Sequence, residues 1–164
     1  MSKNFYLSIF FGFFFNVILG QNPIEWITNT EKINDSTYNL TTTAKIENNW
    51  RLYSQYNEEG GAILTEFIFS DSLIIKNYSK VIEPEPITKF DPVFNLDQSY
   101  FVNQVTFNQR IVLSDNDVDF VNQTVYYQVC DDRVCIFQEQ DLMFNLSGVS
   151  NLNKTVFDLS LIHI

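Results

Sequence analysis

Histidine is all but missing from this chain; the single one, His163, stands among the last six residues. Without an imidazole elsewhere, neither a Ser-His-Asp nor a Cys-His nucleophile pair can be assembled. Zinc held by thiolate and imidazole is excluded as well, because two cysteines alone cannot fill a tetrahedral site. Glycine is scarce, at five residues, and no glycine-rich phosphate loop occurs. Basic residues number 10 against 20 acidic ones, for a formal net charge of −10, so the clustered Lys and Arg that a phosphate backbone requires are lacking. The chain is therefore expected to use no metal, no cofactor and no nucleic-acid partner. Its carboxylate pairs Glu58-Glu59 and Asp131-Asp132 read, in so acidic a chain, as solvated surface rather than as general acid/base pairs.

Both ends of the chain need separate treatment. Lys3 precedes an apolar run from Phe5 to Leu19, interrupted by Ser8, Gly12 and Asn16, and Gly20 is followed by polar Gln21-Asn22-Pro23. A positive start, an apolar stretch and a small residue at the cut are the layout of a secretory signal peptide, here residues 1–20. The run is shorter than the ~20 residues of a membrane-spanning helix, and export into an oxidising compartment follows. At the other end, Leu159-Ser-Leu-Ile-His-Ile164 is the translation of the transposon-end adapter used in sequencing libraries. Residues 159–164 are therefore expected to be a read-through artefact, which makes His163 non-native and has the native frame continue past Asp158. Residues 21–150 are expected to form one domain, and 151–158 the start of a linker. Removing the signal takes away Lys3 and no acid, so the mature part is more acidic still. The sequons beginning at Asn34, Asn39, Asn77, Asn122, Asn145 and Asn153 are read as chance in an Asn-rich chain.

Between these ends a helical period is also missing, and what is present is alternation. Tyr38, Leu40, Thr42, Ala44 and Ile46 occupy every second position, as do Ile63, Thr65, Phe67 and Phe69, and then Val105, Phe107, Gln109, Ile111 and Leu113. Each set reads as a half-buried strand. Turn clusters separate them at Asn34-Asp35-Ser36, Glu58-Glu59-Gly60-Gly61, Ser70-Asp71-Ser72 and Ser114-Asp115-Asn116-Asp117. Short strands at regular spacing predict an all-β, immunoglobulin-like antiparallel sandwich. Pro84-Glu-Pro86 and Phe90-Asp-Pro-Val-Phe94 read as a long, irregular connection of the kind that carries function on a rigid scaffold.

The two cysteines lie in Val125-Tyr-Tyr-Gln-Val-Cys-Asp-Asp-Arg-Val-Cys-Ile-Phe137, which reads as strand, tight turn, strand. Cys130 and Cys135 then face each other across a hairpin, where Cα atoms are roughly 4.5 to 5.5 Å apart and a disulfide is easy to form. An exported pair is commonly a structural staple. Yet a loop this short is a poor one, since chain entropy gives about 2 kcal/mol against ~3 for a fifteen-residue loop. The residues alone leave staple and exchange centre both open.

Tyr126-Tyr-Gln-Val-Cys-Asp-Asp-Arg-Val-Cys135, preceded by Asn49-Trp-Arg-Leu-Tyr-Ser54 and Phe90-Asp-Pro-Val-Phe94, resembles the amino-terminal domain of the DsbD family of transmembrane thiol:disulfide reductases. The similarity runs from about Pro23 to Leu146, and the cysteine hairpin is its most specific part. The resemblance implies a periplasmic immunoglobulin-like domain that takes electrons from the membrane and thioredoxin-like parts of the same protein. It implies that the domain then reduces thioredoxin-like partners, such as disulfide isomerases and those of cytochrome c maturation. Such a protein-disulfide reductase would be tethered to the inner membrane by downstream helices. Cys135 matches the cysteine that forms the mixed disulfide and Cys130 its resolving partner; Phe94 matches a cap, with Asp91 beside it, and Tyr53 an aromatic near the site. Cys130 is further expected to be the more shielded sulfur, from its neighbours Tyr127 and Val129. The Pro-Pro that often follows the second cysteine in the family is replaced here by Ile136-Phe137. With Asp131 and Asp132 nearby and Arg133 only partly offsetting them, the pair would be unactivated and dependent on docking. Two rivals are an exported binding or adhesion sandwich with a purely structural disulfide, and a stand-alone thiol carrier.

Overall fold

The structure, a computed structural model, describes residues 22–70, 73–92, 94–115 and 117–147. The expected signal peptide, linker start and adapter-like tail lie outside the described residues. Within them the regular elements are all strands: β1 (Ile24–Lys32), β2 (Thr37–Ile46), β3 (Arg51–Tyr53), β4 (Glu66–Phe69), β5 (Ile75–Tyr78), β6 (Ile87–Asp91), β7 (Leu96–Phe101), β8 (Gln104–Leu113), β9 (Phe120–Cys130) and β10 (Cys135–Asn145). They pair antiparallel throughout, in one sheet of order β1-β2-β8-β5 and a second of order β10-β9-β3-β7-β6, with β4 also pairing β9. This is the immunoglobulin-like antiparallel sandwich that the alternation predicts.

Period 2 explains the core directly. On β2, Tyr38, Leu40, Thr42, Ala44 and Ile46 are buried, and on β8 Val105, Phe107, Gln109, Ile111 and Leu113 are buried, with more exposed residues between them. The second sheet contributes Leu52, Phe101, Val121, Val125, Tyr127, Val129, Leu142 and Phe144 to the same core. Trp26 joins the layers edge-on, 5.2 Å from the Tyr127 ring and 6.3 Å from that of Phe67. The buried amides are satisfied: Gln123 Nε2 donates to Gln109 Oε1 at 2.8 Å, and Gln109 Nε2 donates to the Ser79 carbonyl at 2.8 Å. Leaving either amide unpaired in this interior costs about 1–3 kcal/mol. The first turn behaves as its composition suggests, with Asn34 Oδ1 accepting from the backbone N–H groups of Ser36 and Thr37.

Two segments depart from the expected elements. The strand expected from Ile63 begins only at Glu66, and Ile63 is 51% exposed. The backbone donors before it are used elsewhere: Ala62 N donates to Gln98 Oε1 at 2.8 Å, Ile63 N to Gln128 Oε1 at 2.7 Å, and Thr65 N to the Ser54 carbonyl at 3.4 Å. Residues 61–65 therefore lie across the second sheet instead of extending it. Gly60, at φ +88°, makes the turn into this segment, and a Cβ on Gly61 would come within 2.4 Å of Gln98 Nε2. Conversely, the connection expected to be irregular between Pro84 and Phe94 contains β6, whose residues Ile87 to Asp91 pair with Tyr100 to Leu96 of β7. β6 is an edge strand, needs partners on one side only, and starts just past the two prolines.

Candidate functional site

On β9 the alternation sends Val125, Tyr127 and Val129 into the core, which leaves Tyr126, Gln128 and Cys130 on the outer face of the second sheet. Register carries this face across the strands: Cys130 stands opposite Cys135 on β10 and opposite Arg51 on β3, while Tyr53 stands opposite Tyr100 on β7. Cys130 and Cys135 are joined in a disulfide with Cα atoms 4.1 Å apart, at the facing positions expected of the hairpin. The loop between them is closed by its own hydrogen bonds. Asp131 N donates to the Val134 carbonyl at 3.0 Å, and the Asp131 carboxylate accepts from Arg133 N and Val134 N at 2.7 Å each. The N–H of Val134, then that of Arg133, holds the Asp131 carboxyl below its ordinary range.

The two sulfurs have different surroundings. Cys130 is 2% exposed, in a cluster with Tyr53 and Ala62 against which Phe94 and Tyr100 pack. Cys135 is exposed. Cys130 is thus the shielded sulfur, but Tyr127 and Val129 do not shield it, because they point to the opposite face. The shielding comes from β3, from the 61–65 segment and from the turn after β6. Phe94 meets the Tyr53 ring edge-on at 6.0 Å, and Tyr53 meets Tyr100 at 6.4 Å. The Tyr53 hydroxyl donates to Asp91 Oδ2 at 3.3 Å, and burial, then the Asp91 charge, pushes its pKa up to about 12. The structure therefore brings together all five residues singled out in the sequence: Cys130, Tyr53, Asp91 and Phe94 as one packed group, and Cys135 at its rim.

Beside Cys135 opens a cleft of about 560 Å³ walled by β6 and the cysteine loop, in which Arg51, Lys89 and Arg133 face Asp91, Asp131 and Asp132. A larger groove of about 740 Å³ lies between β1 and β10 and has no cysteine in its wall. Arg51 Nη2 donates to the Asp131 carbonyl at 3.2 Å and to Asp132 Oδ1 at 2.9 Å, and its guanidinium lies 5.8 Å from the Tyr100 ring centroid. Arg51 is thus a second cation, besides Arg133, offsetting the loop carboxylates, and sequence reasoning missed it. Gln128 was missed as well; its Nε2 lies 3.6 Å from Cys130 Sγ. Both carried a signal, since Gln128 is two residues from Cys130 and hence on its face, and Arg51 is two residues from Tyr53.

A family profile described as "Thiol:disulfide interchange protein DsbD, N-terminal" matches residues 25–147. The chain belongs to this DsbD N-terminal family. Among solved structures, the N-terminal periplasmic domain of ScsB from Proteus mirabilis aligns with a TM-score of 0.55 at 18% identity, over 75% of this chain and 45% of that one. That likeness establishes a shared fold, and the chain spans less than half of the ScsB chain's length. The DsbD N-terminal domain of Neisseria meningitidis in its reduced form aligns with a TM-score of 0.45 at 14% identity, over 77% of this chain and 86% of that one. A chain from the complex of the DsbD and PilB N-terminal domains of the same organism aligns with a TM-score of 0.42 at 11% identity, over 75% and 83%. No curated protein sequence matches significantly. Within this DsbD N-terminal family, the present chain carries its cysteine pair on the outer sheet face, one sulfur covered and the other open.

Proposed function

We propose that the domain is a periplasmic thiol:disulfide exchange module that relays electrons through Cys130 and Cys135. The electrons would come from membrane and thioredoxin-like parts of a longer protein and pass to thioredoxin-like periplasmic partners. Membership of the DsbD N-terminal family supports the reaction class. The observation that carries the assignment of roles is the asymmetry of one disulfide, with Cys130 2% exposed and Cys135 open at the mouth of a cleft. Exchange proceeds through a mixed disulfide, so one sulfur must be reachable from outside while the other waits within bonding distance. Cys135 is the partner-facing sulfur and Cys130 the resolving one. Phe94, held against Tyr53, is the cap that limits access to the pair, and Asp91 fixes the Tyr53 hydroxyl beneath it. Export through the leader at 1–20 and tethering by downstream helices complete the proposal.

Single-cysteine variants test it. Cys130→Ser should trap a thioredoxin-like protein carrying one active cysteine as a covalent complex visible on non-reducing gels, and Cys135→Ser should trap little. Equal trapping by both removes the role assignment. No trapping by either returns the pair to a structural staple in a binding sandwich.

A further inference from the structure

We propose that Gln128 is a catalytic residue of the exchange, the hydrogen-bond donor that stabilises Cys130 when its sulfur leaves as a thiolate. This rests on the reading that the pair cycles. Gln128 is 8% exposed and shares the outer face of β9 with Cys130. Which end of its amide meets the sulfur is decided by Ile63, whose backbone N–H can only donate and lies 2.7 Å from Oε1. The NH₂ group is thereby turned toward Cys130 Sγ, 3.6 Å away.

The chemistry needs such a donor. A thiolate of a dithiol partner attacks Cys135 Sγ and forms a partner–Cys135 bond as the Cys130–Cys135 bond breaks, and the electron pair of that bond passes to Cys130 Sγ. The partner's second thiolate then closes the partner's own disulfide and releases Cys135. The domain has gained two electrons, the partner has lost them, and both released sulfurs take up protons from solvent as their pKa dictates. In the first step an anion appears on a sulfur packed among Tyr53, Ala62, Phe94 and Tyr100, where desolvation disfavours charge. Of the charged groups around the pair, the Asp131 carboxylate accepts from the loop N–H groups, Asp91 accepts from Tyr53 and Arg51 pairs with Asp132, while Lys89 and Arg133 line the cleft on the Cys135 side. The Gln128 amide donates to the sulfur itself. In the opposite direction the same donor holds the Cys130 thiolate as it attacks Cys135 Sγ of the mixed disulfide, re-forming the Cys130–Cys135 bond and releasing the partner reduced.

Gln128→Glu keeps an acceptor for Ile63 N and removes the donor, and Gln128→Met separates loss of the donor from added charge. Both should slow reduction of the disulfide by dithiothreitol about tenfold, as expected for losing a hydrogen bond to a charged group. In a Cys135→Ser background both should raise the Cys130 pKa, read by thiolate absorbance, by about one unit. In that background with Gln128 intact, the Gln128 side-chain amide resonances should move as Cys130 ionises, a readout that needs no change at Gln128. A folded Gln128→Met protein with an unaltered or faster rate and an unaltered Cys130 pKa, or amide resonances that ignore the titration, overturns the assignment. A merely structural glutamine would change stability and leave the pKa where it was. Failure of the exchange reading shows separately, as wild-type protein that a thioredoxin-like dithiol does not reduce.

Discussion

Phe94 and Tyr53 touch edge to edge, yet they answer to different measurements. Phe94 is half-buried and sits on the covering cluster rather than in the main core. Phe94→Ala should therefore speed reduction of the disulfide by dithiothreitol several-fold while costing less than the ~3–5 kcal/mol of a fully buried Phe→Ala change. The larger loss without a change of rate would place it in the core. Tyr53 answers to pH. Its pKa is about 12 in the folded protein against 10.0 ordinarily, so folding favours the protonated phenol. That contribution is complete below pH 10 and is lost as pH rises from about 10 to 12, on the order of 2 kcal/mol at most. Denaturant titrations across that window should show a steeper fall for wild type than for Tyr53→Phe. Parallel curves would mean that Tyr53 does not carry the effect.

At the scale of elements, the site is built by three stretches laid over one end of a sheet: the 61–65 segment, the turn after β6 and the cysteine loop. Gln98 ties the first of them down, accepting from Ala62 N at 2.8 Å while its own Nε2 donates to the Asp97 carbonyl at 2.9 Å, and it is fully buried. A Gly61→Ala methyl would meet that amide at 2.4 Å and force it off its partners. Thermal or urea unfolding should show a loss of about 1–3 kcal/mol, accompanied by faster disulfide reduction; an unchanged melting curve would show that the segment yields without cost. The strands were legible because β2, β8 and β9 bury alternate residues, and that periodicity is written in side-chain type. The cover was not, because Ala62 and Ile63 satisfy their backbone N–H groups through the side chains of Gln98 and Gln128, contacts between residues far apart in sequence. For the same reason Ile63 completes an alternating pattern yet lies outside β4, and Pro84 and Pro86 mask the start of β6. At the site, the facing cysteines followed from the hairpin, but the cause of Cys130's burial did not. Tyr127 and Val129 are its neighbours along the chain, whereas Tyr53 and Ala62 are its neighbours in space.

On the scale of the whole molecule, the core and the cysteine pair occupy opposite faces of one sheet. The main core, with Leu52, Phe107, Ile111, Val125 and Tyr127 at its centre, lies between the sheets, and the Cys130 cluster is a separate, smaller group outside it. A redox pair must pass through its reduced state without unfolding its scaffold, and this separation permits it. Loop closure by a disulfide between residues 130 and 135 contributes about 2 kcal/mol by chain entropy. Truncating one buried aromatic of the core costs ~3–5 kcal/mol. Reduced protein, or a Cys130→Ser/Cys135→Ser double variant, should therefore stay folded at room temperature with the far-ultraviolet spectrum of a sandwich and a stability about 2 kcal/mol or less below that of the oxidised protein. Phe107→Ala should lose more than either while its disulfide remains intact. The equilibrium potential follows from the same difference, since a disulfide that adds little to stability is not driven strongly toward the oxidised form. Titration against a thioredoxin-like couple should place the pair near such partners, above the roughly −300 mV below which structural disulfides lie. A potential below that value, together with unfolding on reduction, would show that the fold depends on the bond and that the pair is a staple.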